Sequence, residues 1–422
     1  MHEIKKLKNG LQYIYIPNSG TSAVTVLLLF PIGSRYETPK TSGISHFLEH
    51  MLFKGTKKRK DYLAVSRELD AAGAEYNAFT SKDYTGYYVK IGAELADEAF
   101  DMISDIAFNS TMPAKEIEKE KGVIVEELRM YEDNPMMAVD LLFDRTMFAN
   151  HPLGWDIGGS PETVRNMTRE ELLNYYHDHY HPQNAVLVVS GNLSKKDFAK
   201  HLKKFASGNK KNLAETQYLT YKHKSNQALA DRVAVKERKI DQAQIILGFP
   251  GLAHDDKRAY VAAVLLTILG GGMSSRLFVE VREKRGLCYM VRAGSSSYRD
   301  TGVVSVQAGL DPARMGEAIK TIKTELKKIS TKPVSKKELA DAKTNLIGRM
   351  ELAMEDSSTV AEKAAKQFIF VNHADTPAET TAKIKKVTAS EVRAVAKVLF
   401  IEKEMRLAVI GPITKEKVLK LL

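Results

Sequence analysis

The 422-residue sequence contains one cysteine, Cys288, so an intramolecular disulfide and any disulfide-stapled scaffold are excluded. It also lacks a long apolar run. The longest candidates, residues 24–30 and 261–269, have the length of a buried strand or a core helix, well short of the roughly 18 residues that suggest a membrane span. The opening Met1-His2-Glu3-Ile4-Lys5-Lys6 has neither the apolar stretch nor the small-residue cleavage site of a signal peptide. These absences lead to the expectation of a reducing, cytoplasmic setting without membrane contact. The net charge of +11 is not gathered into one block. Its densest runs, Lys57-Lys58-Arg59-Lys60 and Lys383-Ile384-Lys385-Lys386, read as solvated helix ends. No base-stacking aromatics accompany them, so no nucleic-acid partner is expected.

With 44% hydrophobic and 27% charged residues the composition is that of an ordinary globular chain, and the length suits two or three domains at about 150 residues each. Asn9-Gly10 between two alternating segments signals a hairpin. Residues 23–30 read as a buried strand, and Ser42 offers a cap for a helix over 44–53. Strands are expected at 75–80 and 85–91, then helices at 95–108, 113–131 and 138–148. Residues 207–229 are polar and rich in Lys and Asn, which suggests a linker. Beyond them the pattern restarts, and Phe249-Pro250-Gly251 echoes Phe30-Pro31-Ile32-Gly33. The expectation is an α+β fold of two homologous domains, 1–206 and 230–422, each a mostly antiparallel sheet packed with helices. A duplication of ~200 residues is too long a period for a solenoid.

What differs between the halves carries the chemistry. The first half holds His46-Phe47-Leu48-Glu49-His50 on its first helix, and the second half has no counterpart. Residues four apart project from one helix face, so both imidazoles can reach one ion, with Glu49 beside them. Two neutral nitrogens and one carboxylate leave an open fourth position, as hydrolytic zinc requires. The plain alternative is two histidines packed on a helix. Phe47, Leu48, Met51 and Leu52 make that helix largely buried, and burying two His and a Glu without a ligand is costly. A third ligand must come from elsewhere. On the helix over 113–131 the apolar stripe is Ile117, Ile124 and Leu128. Glu120 and Glu127 flank that stripe together, whereas Glu126 lies on the opposite side. The wheel therefore favours Glu127 or Glu120 over Glu126.

The run from His46 to Thr56, HFLEHMLFKGT, resembles the signature of the pitrilysin-type (M16, inverzincin) zinc peptidases, with the inverted order H-x-x-E-H. Within that family it is most similar to the mitochondrial processing peptidase β-subunit and its bacterial relatives. The likeness extends over nearly the whole chain, including Gly33-Ser34-Arg35-Tyr36-Glu37. The resemblance implies one zinc per chain held by His46, His50 and Glu127, with Glu120 as the partner that orients the site. It implies that the Asn77-Ala78-Phe79 stretch is an edge strand binding substrate backbone by β-addition. By its seven-residue spacing, Arg282 with Tyr289 is similar to the family's pair of donors to the scissile carbonyl, a role suited to a guanidinium and a phenol; Arg285 is the nearby alternative.

Other features read plainly. Gly270-Gly271-Gly272 lacks the flanks of a phosphate loop and reads as an inter-helix turn. His177, His179 and His181 end a helix ahead of Pro182 without an acidic partner, and Cys288 reads as a core or turn residue. The expected activity is a zinc endopeptidase acting on peptides or unfolded segments. Glu49 serves as general base toward the attacking water. Family members of this length implied by the resemblance work as dimers around a closed chamber, with Arg282 and Tyr289 supplied by the partner chain. A homodimer is expected, with a heterodimer of related subunits as the variant of that arrangement. The alternative function is a non-catalytic peptide-binding or scaffold subunit of the same fold.

Overall fold

The run Ala23–Phe30 is apolar at successive positions rather than at alternate ones, which demands a strand covered on both faces. The computed structural model describes residues 2–207 and 217–422, and residues 208–216 of the expected linker lie outside the described residues. Ala23–Phe30 is β3 of a six-stranded sheet with β1 (Glu3–Lys6), β2 (Gln12–Pro17), β4 (Glu75–Thr80), β5 (Thr85–Gly92) and β6 (Val186–Gly191). The order is β1-β2-β6-β3-β5-β4, antiparallel except for the parallel pair β2 and β6. The hairpin expected at Asn9-Gly10 joins β1 to β2, with Glu3 opposite Tyr15 and Lys6 opposite Gln12.

A second sheet contains β7 (Val233–Glu237), β8 (Ala243–Pro250), β9 (Cys288–Ser297), β10 (Gly302–Leu310) and β11 (Arg406–Gly411). Its order, β7-β11-β8-β10-β9, repeats the first sheet without β1, and its one parallel pair, β7 with β11, corresponds to β2 with β6. The duplication is thus written in the topology. In both sheets the last strand in that order, β4 or β9, is an edge.

Among the described residues the chain forms two compact units that are not contiguous in sequence. The first comprises Met1–Arg129, Trp155–Leu219 and Ala353–Thr376, and the second comprises the remaining segments. The division at 207–229 expected from composition therefore differs from the compact units by two exchanged segments. Five helices of the first half are α1 (Ile44–Leu52), α2 (Tyr62–Ala71), α3 (Ala96–Asn109), α4 (Ala114–Asp133) and α5 (Pro135–Met147). Of these, α5 packs on the second sheet, where Ala138, Val139, Phe143 and Met147 meet Ile246 of β8 and Ala408 and Ile410 of β11. Gly248 admits Phe143, whose ring tip would lie 2.4 Å from an added Cβ.

The helix Ser357–Val371 from the second half packs on the first sheet. Its Ala361, Ala364, Ala365 and Phe368 cover Leu27 and Leu29 of β3 with Val186 and Val188 of β6. The physical cause is the two-faced strand. Val24, Val26, Leu28 and Phe30 already share one buried cluster with Phe47 and Leu48 of α1 and Phe100 and Ile103 of α3, so the opposite face needs its own cover.

One local expectation is corrected. Arg59, read as part of a solvated helix end, is buried, because carboxylates of α3 converge on it: Asp105 lies 2.8 Å from Nη1 and Asp101 2.8 Å from Nη2. In the second half, Phe278–Glu283 forms a π-helical turn. Among the described residues no helix is long and apolar enough to cross a membrane.

Candidate metal centre

Helix α1 starts without a side-chain cap of its own. Its N-cap is Gly43 rather than the expected Ser42, with φ at +96°, and a Cβ there would lie 2.6 Å from the Gly158 carbonyl oxygen. The capping acceptor comes from Glu37, six residues upstream: Gly43 N–H donates to Oε2 at 2.7 Å and Ser45 N–H to Oε1 at 2.9 Å. Burial pushes the Glu37 carboxyl up to about 7, against those two hydrogen bonds. A carboxyl raised in the folded state binds a proton that the unfolded chain has released. Stability from this group is therefore fully present below the unfolded value and declines as pH rises toward 7, by about 3 kcal/mol in all. The stability difference between wild type and Glu37→Gln should change by roughly that amount between pH 4.5 and 7, read as paired urea-denaturation curves. A constant difference across that window would contradict the assignment.

One turn into α1, His46 and His50 stack edge to face, with ring centroids 4.6 Å apart. Helix α4 brings Glu127 to them. His46 Nε2 lies 3.3 Å from His50 Nε2, and Glu127 Oε2 lies 3.6 Å from the first and 3.4 Å from the second. For bonds of ~2.1 Å, a tetrahedral zinc site places its donors about 3.4 Å from one another. These three separations therefore fit three corners of such a tetrahedron. The electrostatics agree with the geometry. Burial and the neighbouring His50 push His46 down to about 4, leaving it a neutral imidazole with a lone pair to give. At His50, burial is outweighed by hydrogen bonds to Glu120 and Glu127, which raise it to about 9. Surroundings that favour a proton there also favour a bound cation.

Glu120 lies behind His50, with Oε1 2.8 Å from Nδ1, its side chain 5% exposed. Glu126 points to solvent, 70% exposed, and pairs with Arg129. Glu49 leaves the three donors to one another and accepts a hydrogen bond from Thr80 Oγ1 at 2.5 Å. Burial raises its carboxyl above the usual range, opposed by Thr80 and His50. Thr80 ends β4, so the strand carrying Asn77, Ala78 and Phe79 is tied to Glu49. Tyr76 and Ala78 face the α1 side of the sheet, and Phe79 faces the side covered by Ser357–Val371. Three residues here escaped the sequence reading: Thr80, Lys54 (2.7 Å from Glu120 Oε2) and Glu37. Strand alternation from Ala78 points to Thr80; spacing from His50 points to Lys54.

In the second unit, Arg282 and Tyr289 lie together. The guanidinium carbon sits 5.1 Å from the Tyr289 ring centre and 4.7 Å from that of Phe278, and Tyr289 is 77% exposed. Arg285 instead pairs with Glu280. Among the described residues, His177, His179 and His181 form no metal-sized group: His179 rests on the Tyr175 ring, and His181 Nε2 lies 3.1 Å from the Asp178 carbonyl oxygen. Burial raises the Cys288 thiol to about 11, which disfavours thiolate chemistry.

Residues 13–160 match the family described as "Insulinase (Peptidase family M16)", and residues 166–346 match the "Peptidase M16 inactive domain". The metal motif lies within the first match. The chain is 35% identical to a Bacillus subtilis protein named an uncharacterized zinc protease, over 96% of this chain and 97% of that one. It is likewise 35% identical to one so named from Streptomyces coelicolor, over 98% and 90%. Among solved structures it resembles a protease from Helicobacter pylori, with a TM-score of 0.90 and 25% identity over 98% and 99% of the two chains. An M16 inactive-domain structure from Pseudomonas fluorescens shares the fold, with a TM-score of 0.88 and 20% identity over 98% of each. The chain belongs to peptidase family M16, the pitrilysin-type zinc peptidases.

Proposed function

We propose that the chain is a zinc-dependent endopeptidase that cleaves peptides or unfolded protein segments, with one metal ion per chain. The observation that carries this reading is the set of three donor atoms from His46, His50 and Glu127 at tetrahedral spacing, with a non-ligating carboxylate, Glu49, on the same helix. Zinc held there supplies Lewis acidity, polarising a carbonyl oxygen and lowering the pKa of water.

The chain's own residues do the rest. Strand β4 offers the free edge of its sheet to extended substrate backbone near Asn77, Ala78 and Phe79, a grip that needs few specific side-chain contacts. Thr80 aims the Glu49 carboxylate by donating to Oε2. The other oxygen, Oε1, takes a proton as water adds to the scissile carbon. When the C–N bond breaks, the same carboxyl returns the proton to the amine nitrogen. Glu120 holds the His50 ring. Arg282 and Tyr289 donate to the developing oxyanion, contributed by the second chain of a dimeric chamber. A homodimer is the simplest assembly, and a related subunit could occupy the second place. The single cysteine supports a cytoplasmic setting.

Mass-spectrometric mapping of a mixed peptide pool tests the reading. Internal cuts that vanish with chelator and return with Zn2+ are expected. Intact peptides throughout, from dimeric zinc-loaded protein, would overturn it in favour of a non-catalytic peptide-binding subunit.

A further inference from the structure

Helix α1 ends at Leu52, and Lys54 lies four residues beyond His50 on the same side of the chain. Its ammonium is 2.7 Å from Glu120 Oε2, while Glu120 Oε1 is 2.8 Å from His50 Nδ1. Lys54, Glu120 and His50 thus form one line, whose far end, His50 Nε2, faces His46 and Glu127. An ammonium only donates, so Oε2 is an acceptor there, and a hydrogen on it would collide with the N–H groups of Lys54. Both carboxylate oxygens then accept, and the hydrogen between Glu120 and His50 belongs to Nδ1. Nε2 is the nitrogen left to bind a metal.

His46 provides the contrast. Its Nδ1 is buried and has no hydrogen-bond partner among the described residues; Leu128 and the Gly158 backbone pack nearby. Packing holds one imidazole, and a charged chain holds the other.

We propose that Lys54 is a positioning residue for the metal ligand His50: through Glu120 it fixes the ring with Nδ1–H inward and Nε2 toward His46 and Glu127. The proposal rests on reading His46, His50 and Glu127 as a zinc site. Without the ammonium, one oxygen of a nearly buried carboxylate loses its donor, and the carboxylate can turn away from the ring or take up water.

The test uses the full chain and the metals alone. Zn2+ affinity is measured by competition with a chromophoric chelator, and the visible bands of the Co2+-loaded protein report ligand geometry. Lys54→Met should weaken Zn2+ binding ~10-fold and shift the Co2+ bands, whereas Lys54→Arg should stay within about 3-fold of wild type. In a Glu120→Gln background, Lys54→Met should add less than about 2-fold, because its route to His50 is already cut. Unchanged Zn2+ affinity and Co2+ bands in folded Lys54→Met, or a full loss that persists with Glu120→Gln, would overturn the proposal. Lys54→Gln serves in the same comparison if Lys54→Met does not fold. Tight Zn2+ binding without peptide cleavage would overturn the peptidase reading and leave the Lys54 line standing. A wild-type chain that takes up no Zn2+ would overturn both.

Discussion

Replacing Glu49 by glutamine is expected to leave zinc affinity near the wild-type value and to reduce peptide cleavage about 10²- to 10⁴-fold, the range typical of a lost general base. The structure supports both halves of that expectation. His46, His50 and Glu127 supply the three donor atoms among themselves, and Glu49 is hydrogen-bonded to Thr80 rather than turned into the donor triangle. Glutamine keeps the length of the side chain, and its amide oxygen can still accept from Thr80. It cannot take a proton from water near neutral pH. Steady-state kinetics on a peptide substrate, paired with metal analysis of the same preparation, separates the outcomes. A fall in kcat with bound zinc intact fits a proton carrier. Loss of zinc would make Glu49 a ligand, and cleavage within tenfold of wild type would remove it from the reaction.

The parts of this site that sequence reading reached are those whose signal is local. The His46–His50 spacing is a property of one helix turn, and Asn9-Gly10 a property of one hairpin. The wheel of α4 separated Glu120 and Glu127 from Glu126 but left two candidates, because periodicity tells which residues share a face and not how far along a neighbouring helix each one lies. The packing of α4 against α1 makes that distinction: Glu127 reaches both Nε2 atoms, while Glu120, two turns earlier, reaches the back of the His50 ring.

Lys54 and Thr80 gain meaning only when α4 and β4 are brought beside α1. The exchange of α5 and Ser357–Val371 was hidden for the same reason. An amphipathic helix announces that it needs an apolar surface, without saying which of two similar sheets provides it. Glu37 defeated the capping rule in its own way, since the acceptor for the α1 N-terminus sits six residues before the N-cap Gly43 and Ser42 occupies the place where such rules look. The buried Arg59 shows the limit of charge patterning. A run of four basic residues reads as solvated until carboxylates from a later helix close over one of them.

Arg282→Ala is expected to lower cleavage about 10²-fold or more, and mixing it with Glu49→Gln chains is expected to restore activity. The π-helical turn at Phe278–Glu283 sets the Arg282 guanidinium carbon 4.7 Å from the Phe278 ring centre and 5.1 Å from that of Tyr289, with Nε 3.7 Å from a Glu283 carboxylate oxygen. Tyr289 is largely exposed, as a group meant for something outside its own unit would be. In a symmetric dimer that shares its sites, each active centre joins Glu49 of one chain to Arg282 of the other. A mixed dimer of the two variants then has one intact centre and one doubly defective one. Random exchange gives half mixed dimers, so about a quarter of wild-type activity should return from two nearly inactive parents. Recovery should follow the fraction of mixed dimers, counted by native mass spectrometry, should be absent when the Arg282→Ala parent also carries a change at His46, and should survive the same change in the Glu49→Gln parent. Verified mixed dimers that remain inactive would place Arg282 in the same chain's site or outside the reaction altogether.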